Sequence, residues 1–189
     1  MILALGGGCT KPTVTSKAFV PSPHESEKSA KNSKERHTQE GRVYEQDKGI
    51  SIIPPEGWVN DDKAPARFLP ASIGPKEDGF PTLNVASGTV PVDIEQVGAQ
   101  LKKSLAAEQK KWECAEEGFT EIDNKKAYFI SSRFVIERGD QSFPIQNLQF
   151  LVPSQDNKKS FVVTFTASAD KFEGLHKRFE ESAQTIRVD

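Results

Sequence analysis

Hydrophobic positions are spread unevenly along the chain. Residues 10–42 contain few large apolar side chains, whereas from Val43 onward apolar residues recur in short alternating or one-sided patterns. A segment as polar as the first part cannot bury enough apolar surface to offset the entropy that it loses on ordering. The pattern predicts a polar tether within residues 9–42 and one folded domain at 43–189.

The folded part begins with segments that predict β-strands. A short strand near Val43 is followed by a turn at 47–49 and a second strand, which ends at Pro54 and Pro55 because neither proline can donate to a strand ladder. Two further extended segments lie at 66–74 and 81–90. Three long strands then follow at 125–138, 143–153 and 158–168.

Short polar turns join these three long strands. Gly139–Asp140 and Asp156–Asn157 carry the turn chemistry between them. Successive strands joined this way predict an antiparallel meander, and the apolar residues on both sides of the middle strand predict that it is buried on both faces.

Two amphipathic helices complete the predicted domain. The first begins at Asp93, an N-cap with Gln96 three residues beyond it, and the second at Asp170. The apolar stripes are Ile94, Val97, Leu101 and Leu105 in the first helix, and Phe172, Leu175, Phe179, Ala183 and Ile186 in the second. Because each stripe is one-sided, each helix must cover a sheet. The predicted fold class is therefore α+β, an antiparallel meander covered by helices.

The first ten residues, MILALGGGCT, contain a candidate lipidation site. Bacterial lipoprotein signals end in an apolar stretch and small residues before the cysteine that receives the lipid, and residues 3–8 fit that order ahead of Cys9. Two features depart from it: Gly6 stands where leucine is usual, and a basic region with an apolar core of roughly 7–15 residues is missing. We interpret residues 1–8 as the remnant of a signal that starts upstream of Met1. The alternative is an incidental cysteine in an irregular N-terminus.

Charge and cysteine content limit which partners, disulfide bonds and metal sites can be expected in this protein. The formal net charge is −2 at pH 7, so no strong overall field attracts nucleic acid. Two cysteines are too few for a disulfide framework, and no cysteine or histidine pair has the spacing of zinc ligands. We expect a monomer without a cofactor.

Several motifs of the folded part resemble those of a known superfamily. They are I-P-P-x-G-W ending at Trp58, an N-V pair at Asn84, L-K-K-S-L ending at Leu105 and F-V-V-T-F-T-A beginning at Phe161. Together with the order of the elements, they resemble the PsbP-like superfamily, which includes DcrB-type lipoproteins. The resemblance implies an α/β/α sandwich, Trp58 as a structural landmark at one end of it, and no shared catalytic set. It also implies lipid anchoring outside the cytoplasm, in agreement with Cys9.

The candidate chemistry in the domain is sparse. Ser168 and Lys171 match the S-x-x-K pattern in which lysine assists deprotonation of a serine that opens a helix, but strand exit and helix capping explain the same residues. Four loop carboxylates form a weak candidate cation site: Asp61, Asp62, Glu77 and Asp78. Nearby lysines favour ordinary surface charge instead. His176 is expected to be solvated and Cys114 to be a half-buried apolar residue.

These observations favour a lipid-anchored, non-enzymatic cell-envelope protein that binds or scaffolds a membrane or envelope partner through a sheet face, a rim loop or a sheet edge. Thr10, following Cys9, favours the outer membrane in a Gram-negative host. One alternative is a periplasmic component that binds a small molecule or metal ion for uptake, which would need a concave pocket with a few converging polar groups. A Ser168/Lys171 hydrolase is the second alternative.

Overall fold

The computed structural model describes residues 41–45, 49–60, 67–70, 81–88 and 93–189. The strands in chain order are β1 (Val43–Glu45), β2 (Ile50–Ile52), β3 (Trp58–Asn60), β4 (Arg67–Pro70), β5 (Thr82–Gly88), β6 (Glu113–Ile122), β7 (Lys125–Arg138), β8 (Gln141–Pro153), β9 (Ser160–Ser168) and β10 (Arg187–Val188). The helices are α1 (Ile94–Glu108) and α2 (Ala169–Gln184). Neither described helix is long and apolar enough to span a membrane.

Seven strands form a central antiparallel sheet in the order β3-β4-β5-β9-β8-β7-β6. The predicted meander is confirmed as β7, β8 and β9, and β8 is buried from Ile145 to Pro153. Both predicted turns are confirmed as well. Gly139 and Asn157 take the left-handed backbone conformation there, with φ of 58° and 56°. Glycine and asparagine tolerate that conformation better than most residues.

The edge strand β6 was not predicted from the sequence. Its four glutamates interrupt any simple alternation of apolar and polar residues, and most of the strand is exposed. A two-residue turn connects it to β7, with Asp123 and Asn124 at φ of 52° and 59°. Tight hairpins need positive φ at both turn residues, and aspartate and asparagine are among the few side chains that accept it. This Asp-Asn pair was the signal in the sequence for the missed hairpin.

The two helices lie on opposite faces of the central sheet, so the predicted α/β/α sandwich is confirmed. Leu101 and Leu105 of α1 pack on a small cluster around Tyr128, Ile130 and Leu151. Helix α2 packs on β8 and β9 and joins the main core, whose fully buried aromatic side chains are Phe68, Phe161, Phe165, Phe172 and Phe179. We call these two sides of the sheet the α1 face and the α2 face.

The helix starts agree only partly with the sequence. Asp93 caps α1 as predicted, because its carboxylate accepts a hydrogen bond from the Glu95 N–H at 3.1 Å. The predicted cap of α2 is wrong: Ser168 is the N-cap and the helix begins at Ala169. Asp170 therefore lies within the first turn, where the helix dipole favours a negative charge.

A second, three-stranded sheet has the order β1-β2-β10. The predicted β1 and β2 pair in antiparallel fashion, but β10, only two residues long, was not predicted. The buried Asp123 carboxylate accepts hydrogen bonds from the Val188 N–H at 2.9 Å and from Gln155 Nε2 at 3.1 Å. The C-terminal strand is thereby fixed to the turn between β6 and β7.

Candidate functional site

Five of the ten residues that the sequence analysis marked as candidates lie outside the described residues. This holds for the lipidation candidate Cys9 and for the four carboxylates Asp61, Asp62, Glu77 and Asp78. In the described ranges, no three His, Cys, Asp or Glu side chains are placed to hold a metal ion. The candidates that can be placed are Trp58, Ser168, Lys171, His176 and Cys114.

Trp58 lies at the edge of the main core. Its ring is half-buried and contacts Phe179 of α2 edge-on, with 6.0 Å between the ring centroids. The Trp58 N–H donates to the Pro55 carbonyl at 3.0 Å, and Gly57 between them has φ of 78°. The Pro-Pro-x-Gly-Trp stretch is therefore a tight turn that places the Trp58 indole against α2.

Ser168 and Lys171 line an open groove beside the start of α2. The groove has a volume of about 500 Å³. Its lining comprises Phe143, Pro144, Ile145, Ser168, Ala169, Asp170 and Lys171. The apolar part comes from β8, and the polar part from the strand-to-helix junction that follows β9.

Within this groove, Ser168 interacts with Asp170. A hydrogen bond from Ser168 lowers the pKa of Asp170 below its ordinary value, since it stabilises the carboxylate form. No hydrogen bond joins Ser168 to Lys171 in the described part of the chain, although the S-x-x-K hypothesis requires that lysine as the base. The geometry gives that hypothesis no nucleophile–base pair.

Beyond the groove, neutral polar side chains form two rows across the α1 face. The first row runs over four neighbouring strands in register: Ser132, Asn147, Thr166 and Thr82. The second row contains Gln149, Thr164 and Asn84. Because residues two apart on a strand share a face, the first row lies directly inward from Ile145 and Ser168 of the groove. We call these seven residues the polar rows.

Part of the hydrogen-bonding capacity of the polar rows is unused. Gln149 Nε2 donates to Thr164 Oγ1 at 3.1 Å, and Asn84 Nδ2 donates to Thr82 Oγ1 at 3.3 Å. In contrast, three buried atoms have no hydrogen-bond partner: Ser132 Oγ, Asn147 Oδ1 and Gln149 Oε1. The great majority of buried polar atoms in folded proteins are paired, so three unpaired atoms on one sheet face are unusual.

The sequence analysis did not single out the polar rows. The alternation in strands β8 and β9 was visible, but hydroxyl and amide residues in strands are ordinary in composition. Their meaning depends on register, because only the pairing of four strands places them side by side.

An exposed aromatic side chain marks the β6 edge. Phe119 is 47% exposed, its ring lies 5.7 Å from that of Tyr128, and Lys126 Nζ stands 4.1 Å from its centroid. Next to it, Glu117 pairs with Lys102 of α1 and accepts a hydrogen bond from the Tyr128 hydroxyl at 2.6 Å. These two contacts lower the pKa of Glu117, whereas burial and the bond to Glu117 raise the pKa of Tyr128.

The remaining two candidates occupy structural positions. Cys114 is a free, half-buried cysteine beside the α1 cluster, as predicted. Burial and the charge of Glu117 raise its pKa, so the thiol is not activated. His176 is on the helix surface but only 27% of its side chain is exposed, because its ring lies 5.4 Å from that of Phe172. The histidine that was expected to be solvated is thus partly exposed on the helix surface.

Comparison with known proteins identifies relatives of the fold alone. No protein-family model and no curated protein sequence matches the chain. Among solved structures, the chain is similar to the cyanobacterial PsbP protein (CyanoP) of Synechocystis sp. PCC 6803, with a TM-score of 0.55 and 16% identity over 78% of this chain and 91% of that one.

Two further solved structures show the same similarity. LpqN of Mycobacterium tuberculosis, described as involved in cell envelope biogenesis, has a TM-score of 0.53 and 16% identity over 84% of this chain and 95% of that one. The Ran-binding protein Mog1p of Saccharomyces cerevisiae has a TM-score of 0.56 and 13% identity over 78% and 94%. The domain has the PsbP-like fold that the sequence resemblance predicted.

Proposed function

We propose that this protein is a lipid-anchored, non-enzymatic component of the cell envelope whose PsbP-like domain binds a protein partner through the β6 edge. In this proposal Cys9 carries the lipid, residues 10–42 form the tether and the domain is held near membrane partners at high effective concentration. In a Gram-negative host, Thr10 after the lipidated cysteine directs the protein to the outer membrane.

The observation that carries the partner-binding proposal is that β6 is a terminal strand of the central sheet, with no described strand paired to its outer edge. A terminal strand of a sheet leaves a row of backbone N–H and C=O groups that an extended segment of another protein can pair with. A register shift interrupts the pairing with β7 between Cys114 and Glu116, but residues 117–122 pair regularly. That regular part also exposes Phe119, an aromatic side chain of the kind enriched in protein interfaces.

The charge of β6 indicates what the partner segment contains. The strand carries Glu113, Glu116, Glu117 and Glu121 and neither lysine nor arginine. Complementary charge favours encounter and suppresses wrong partners, so we expect an extended segment with lysine or arginine beside an apolar residue that contacts Phe119.

The fold similarity supports the cellular setting and the absence of catalysis. LpqN is described as involved in cell envelope biogenesis and Mog1p as a Ran-binding protein. By analogy, this chain uses the same architecture for binding in the envelope.

The anchor is tested by the mass of the product. The gene is expressed with its native upstream region, and the intact mass of the membrane-extracted protein is measured beside a Cys9→Ala variant. We expect a mature chain that begins at Cys9 with added acyl mass, and loss of that mass in the variant. An unmodified chain in the soluble fraction would contradict the proposed lipid anchor. It would not bear on the proposed role of the folded domain.

The partner surface is tested by site-specific photo-crosslinking in the native host. A photoreactive residue replaces Phe119 on the β6 edge in one variant and Lys177, which is 88% exposed on α2, in the control. We expect a discrete crosslinked envelope protein at position 119 and none at 177. Crosslinking should be abolished by Glu121→Pro, because residue 121 forms a non-hydrogen-bonded pair with Lys126 and its N–H lies on the free side of β6. Equal labelling at the two positions contradicts a specific edge.

A second candidate function is binding of a small molecule. The specific observation in its favour is the groove of about 500 Å³ at the start of α2, whose apolar wall and few polar groups match the usual anatomy of ligand sites.

A further inference from the structure

The outer side of β6 offers backbone hydrogen-bonding groups at alternate residues. The two-residue turn between β6 and β7 is flanked by Ile122 and Lys125, which form a hydrogen-bonded pair, as does every second pair after them. The pairs made by Glu117, Phe119 and Glu121 fall between those and are not hydrogen-bonded to β7. The N–H and C=O groups of these three residues therefore point to the free side of the strand.

The side chains of the same three residues lie on the α1 face. Phe119 contacts the ring of Tyr128 and is exposed. The carboxylate of Glu117 is already paired, since it binds Lys102 and accepts a hydrogen bond from Tyr128. Glu121 is exposed and forms no ion pair within the described ranges. A strand added here would therefore meet an aromatic ring and, two residues away, a carboxylate that is available for pairing.

On the α2 face the edge is apolar because β6 has a glycine there. The ring of Phe129 on β7 occupies the space next to Gly118, where a Cβ would lie only 2.9 Å from Phe129 Cε1. Phe129 is half-buried at the margin of the main core. Directly opposed side chains on neighbouring strands are in contact, so a residue placed opposite Gly118 would pack against this ring.

These contacts define the residues of an antiparallel segment that fits the edge. From its N-terminus, the segment has a lysine or arginine opposite Glu121, any residue opposite Thr120, and apolar residues opposite Phe119 and Gly118. The pattern is basic–x–apolar–apolar. Between positions 10 and 42 this pattern occurs once, in the sequence K-A-F-V at 17–20.

Charge and chain length both allow this segment to reach the edge. Residues 10–22 contain two lysines and no acidic residue, whereas β6 contains four glutamates. The domain begins at β1, two strands or about 10 Å from β10, which is hydrogen-bonded to Asp123 at the end of β6. Residues 21–40 can span up to about 65 Å, and the length of β6 is only about 34 Å.

We propose that residues 17–20 pair with the β6 edge as an additional strand, so that the chain covers its own partner-binding edge. The inference rests on the proposed function in that both concern the same edge. In this arrangement Lys17 pairs with Glu121. Phe19 and Val20 pack against the aromatic rings on the α1 face and the α2 face.

The expected strength of this contact suits a reversible cover. A short segment with so few contacts has a Kd of about 1 mM on its own, and linkage within one chain gives an effective concentration also in the millimolar range. The edge is then covered in roughly half of the molecules. A covered edge is protected from indiscriminate strand pairing, and a partner with more contacts can still displace the segment.

The test is nuclear magnetic resonance of the full, isotope-labelled chain. Phe19→Ser removes an apolar contact of the segment. It should shift the amide signals of Phe119 and Glu121 and speed the exchange of their amide protons with solvent by about twofold, because the edge is no longer covered half of the time. The matched control is Val14→Ser, an apolar-to-polar change outside the pattern, which should leave these signals and exchange rates as in the parent.

A charge reversal assigns the contact to a pair of residues. Lys17→Glu should have the same effect as Phe19→Ser, and adding Glu121→Lys should restore the parent's exchange rates because the ion pair forms again with its signs exchanged. Two controls match these changes. Lys28→Glu, elsewhere in the tether, should behave as the parent does, and Glu116→Lys in place of Glu121→Lys should not restore the contact.

Three outcomes would overturn the inference. One is identical signals and exchange rates of residues 117–121 in the parent, Phe19→Ser and Lys17→Glu. Another is failure of Lys17→Glu with Glu121→Lys to restore the parent's exchange rates. The third is a change of the parent's signals on dilution, which would indicate pairing between two copies.

Crosslinking at Phe119 tests the proposed function separately. A captured envelope protein together with unchanged signals in the Phe19→Ser variant would contradict only the self-covering of the edge. The expected signal changes without a captured protein would contradict only the proposed partner.

Discussion

The two faces of the central sheet are built on different principles. The α2 face is closed by aromatic packing: Phe165 stacks on Phe179 with centroids 5.0 Å apart and meets Phe150 edge-on at 6.2 Å. Its buried glutamine, Gln146, has partners at both ends of its carboxamide. The α1 face has an apolar cluster under α1, and beside it the polar rows with three unpaired atoms.

The two faces of the sheet therefore contribute differently to the stability of the fold. A well-packed face with satisfied polar groups lowers the free energy of the fold, whereas unpaired buried polar atoms raise it. Natural proteins depart from good packing mainly where a function requires it. The α1 face is therefore where a ligand or a conformational role is to be sought, and four experiments measure how different the faces are.

The largest effect is expected from Phe165→Ala on the α2 face. The side chain is fully buried between two other rings, so truncation leaves a cavity and should lower the free energy of unfolding by about 3–5 kcal/mol. Chemical denaturation at neutral pH measures it. Phe119→Ala, at an exposed phenylalanine, is the control and should cost well under half as much. Similar losses for the two would mean that the α2 face is not the main source of stability.

A smaller loss is expected from Ile130→Ala on the α1 face. Ile130 is also fully buried, but it belongs to the small cluster beneath α1. We expect about 2–3 kcal/mol, since fewer atoms surround the cavity. A loss equal to that of Phe165→Ala would show that the two faces are packed equally well.

The sharpest comparison uses two glutamines of β8, Gln146 and Gln149, which are both 8% exposed and lie on opposite faces. Gln146→Leu leaves Ser131 and Arg133 without their partner and should destabilise by about 1–2 kcal/mol. Gln149→Leu loses one hydrogen bond but also removes an unpaired oxygen, so we expect a change of about zero. Denaturation of both variants under the same conditions measures the two changes in the free energy of unfolding. Equal losses would mean that the buried polar groups of the two faces are equally well hydrogen-bonded.

The smallest effect concerns pH and the ion pair at the β6 edge. Lys102 and Tyr128 lower the pKa of Glu117, so its contribution to stability is present above its unfolded pKa of about 4.5 and is lost as pH falls through the folded value. Glu117→Gln should destabilise by about 0.5 kcal/mol or less at pH 7, because the pair is solvent-exposed. The difference from the parent should vanish once the pH is well below the lowered folded pKa of Glu117. A difference that persists in acid would indicate a packing effect instead.

Sequence patterns predicted the meander, both of its turns and the two helices, because alternation, one-sided stripes and turn residues act locally. They missed β6, whose glutamates tolerate exposure at an edge. They also missed β3 and β10, which are too short to have a period. The cap of α2 was misplaced by two residues because Ser168 and Asp170 both suit a helix start.

The candidate site was less predictable than the fold. Ser168 and Lys171 do line a groove, yet its apolar wall comes from Phe143, Pro144 and Ile145, which are distant from them in sequence. The polar rows required the register of four strands, and their unpaired atoms required the orientation of each side chain. Both are long-range properties that a single segment does not encode.

The two-residue strand β10 has a consequence for how the protein is made. Arg187 and Val188 pair with Ser51 and Ile50, and the Asp189 N–H donates to the Gly49 carbonyl, so the last residues of the chain complete a sheet begun by the first residues of the domain. Contacts so distant in sequence form late and slowly. During synthesis the second sheet therefore stays incomplete, and one edge of β2 stays without its β10 partner, until Arg187 and Val188 have been added.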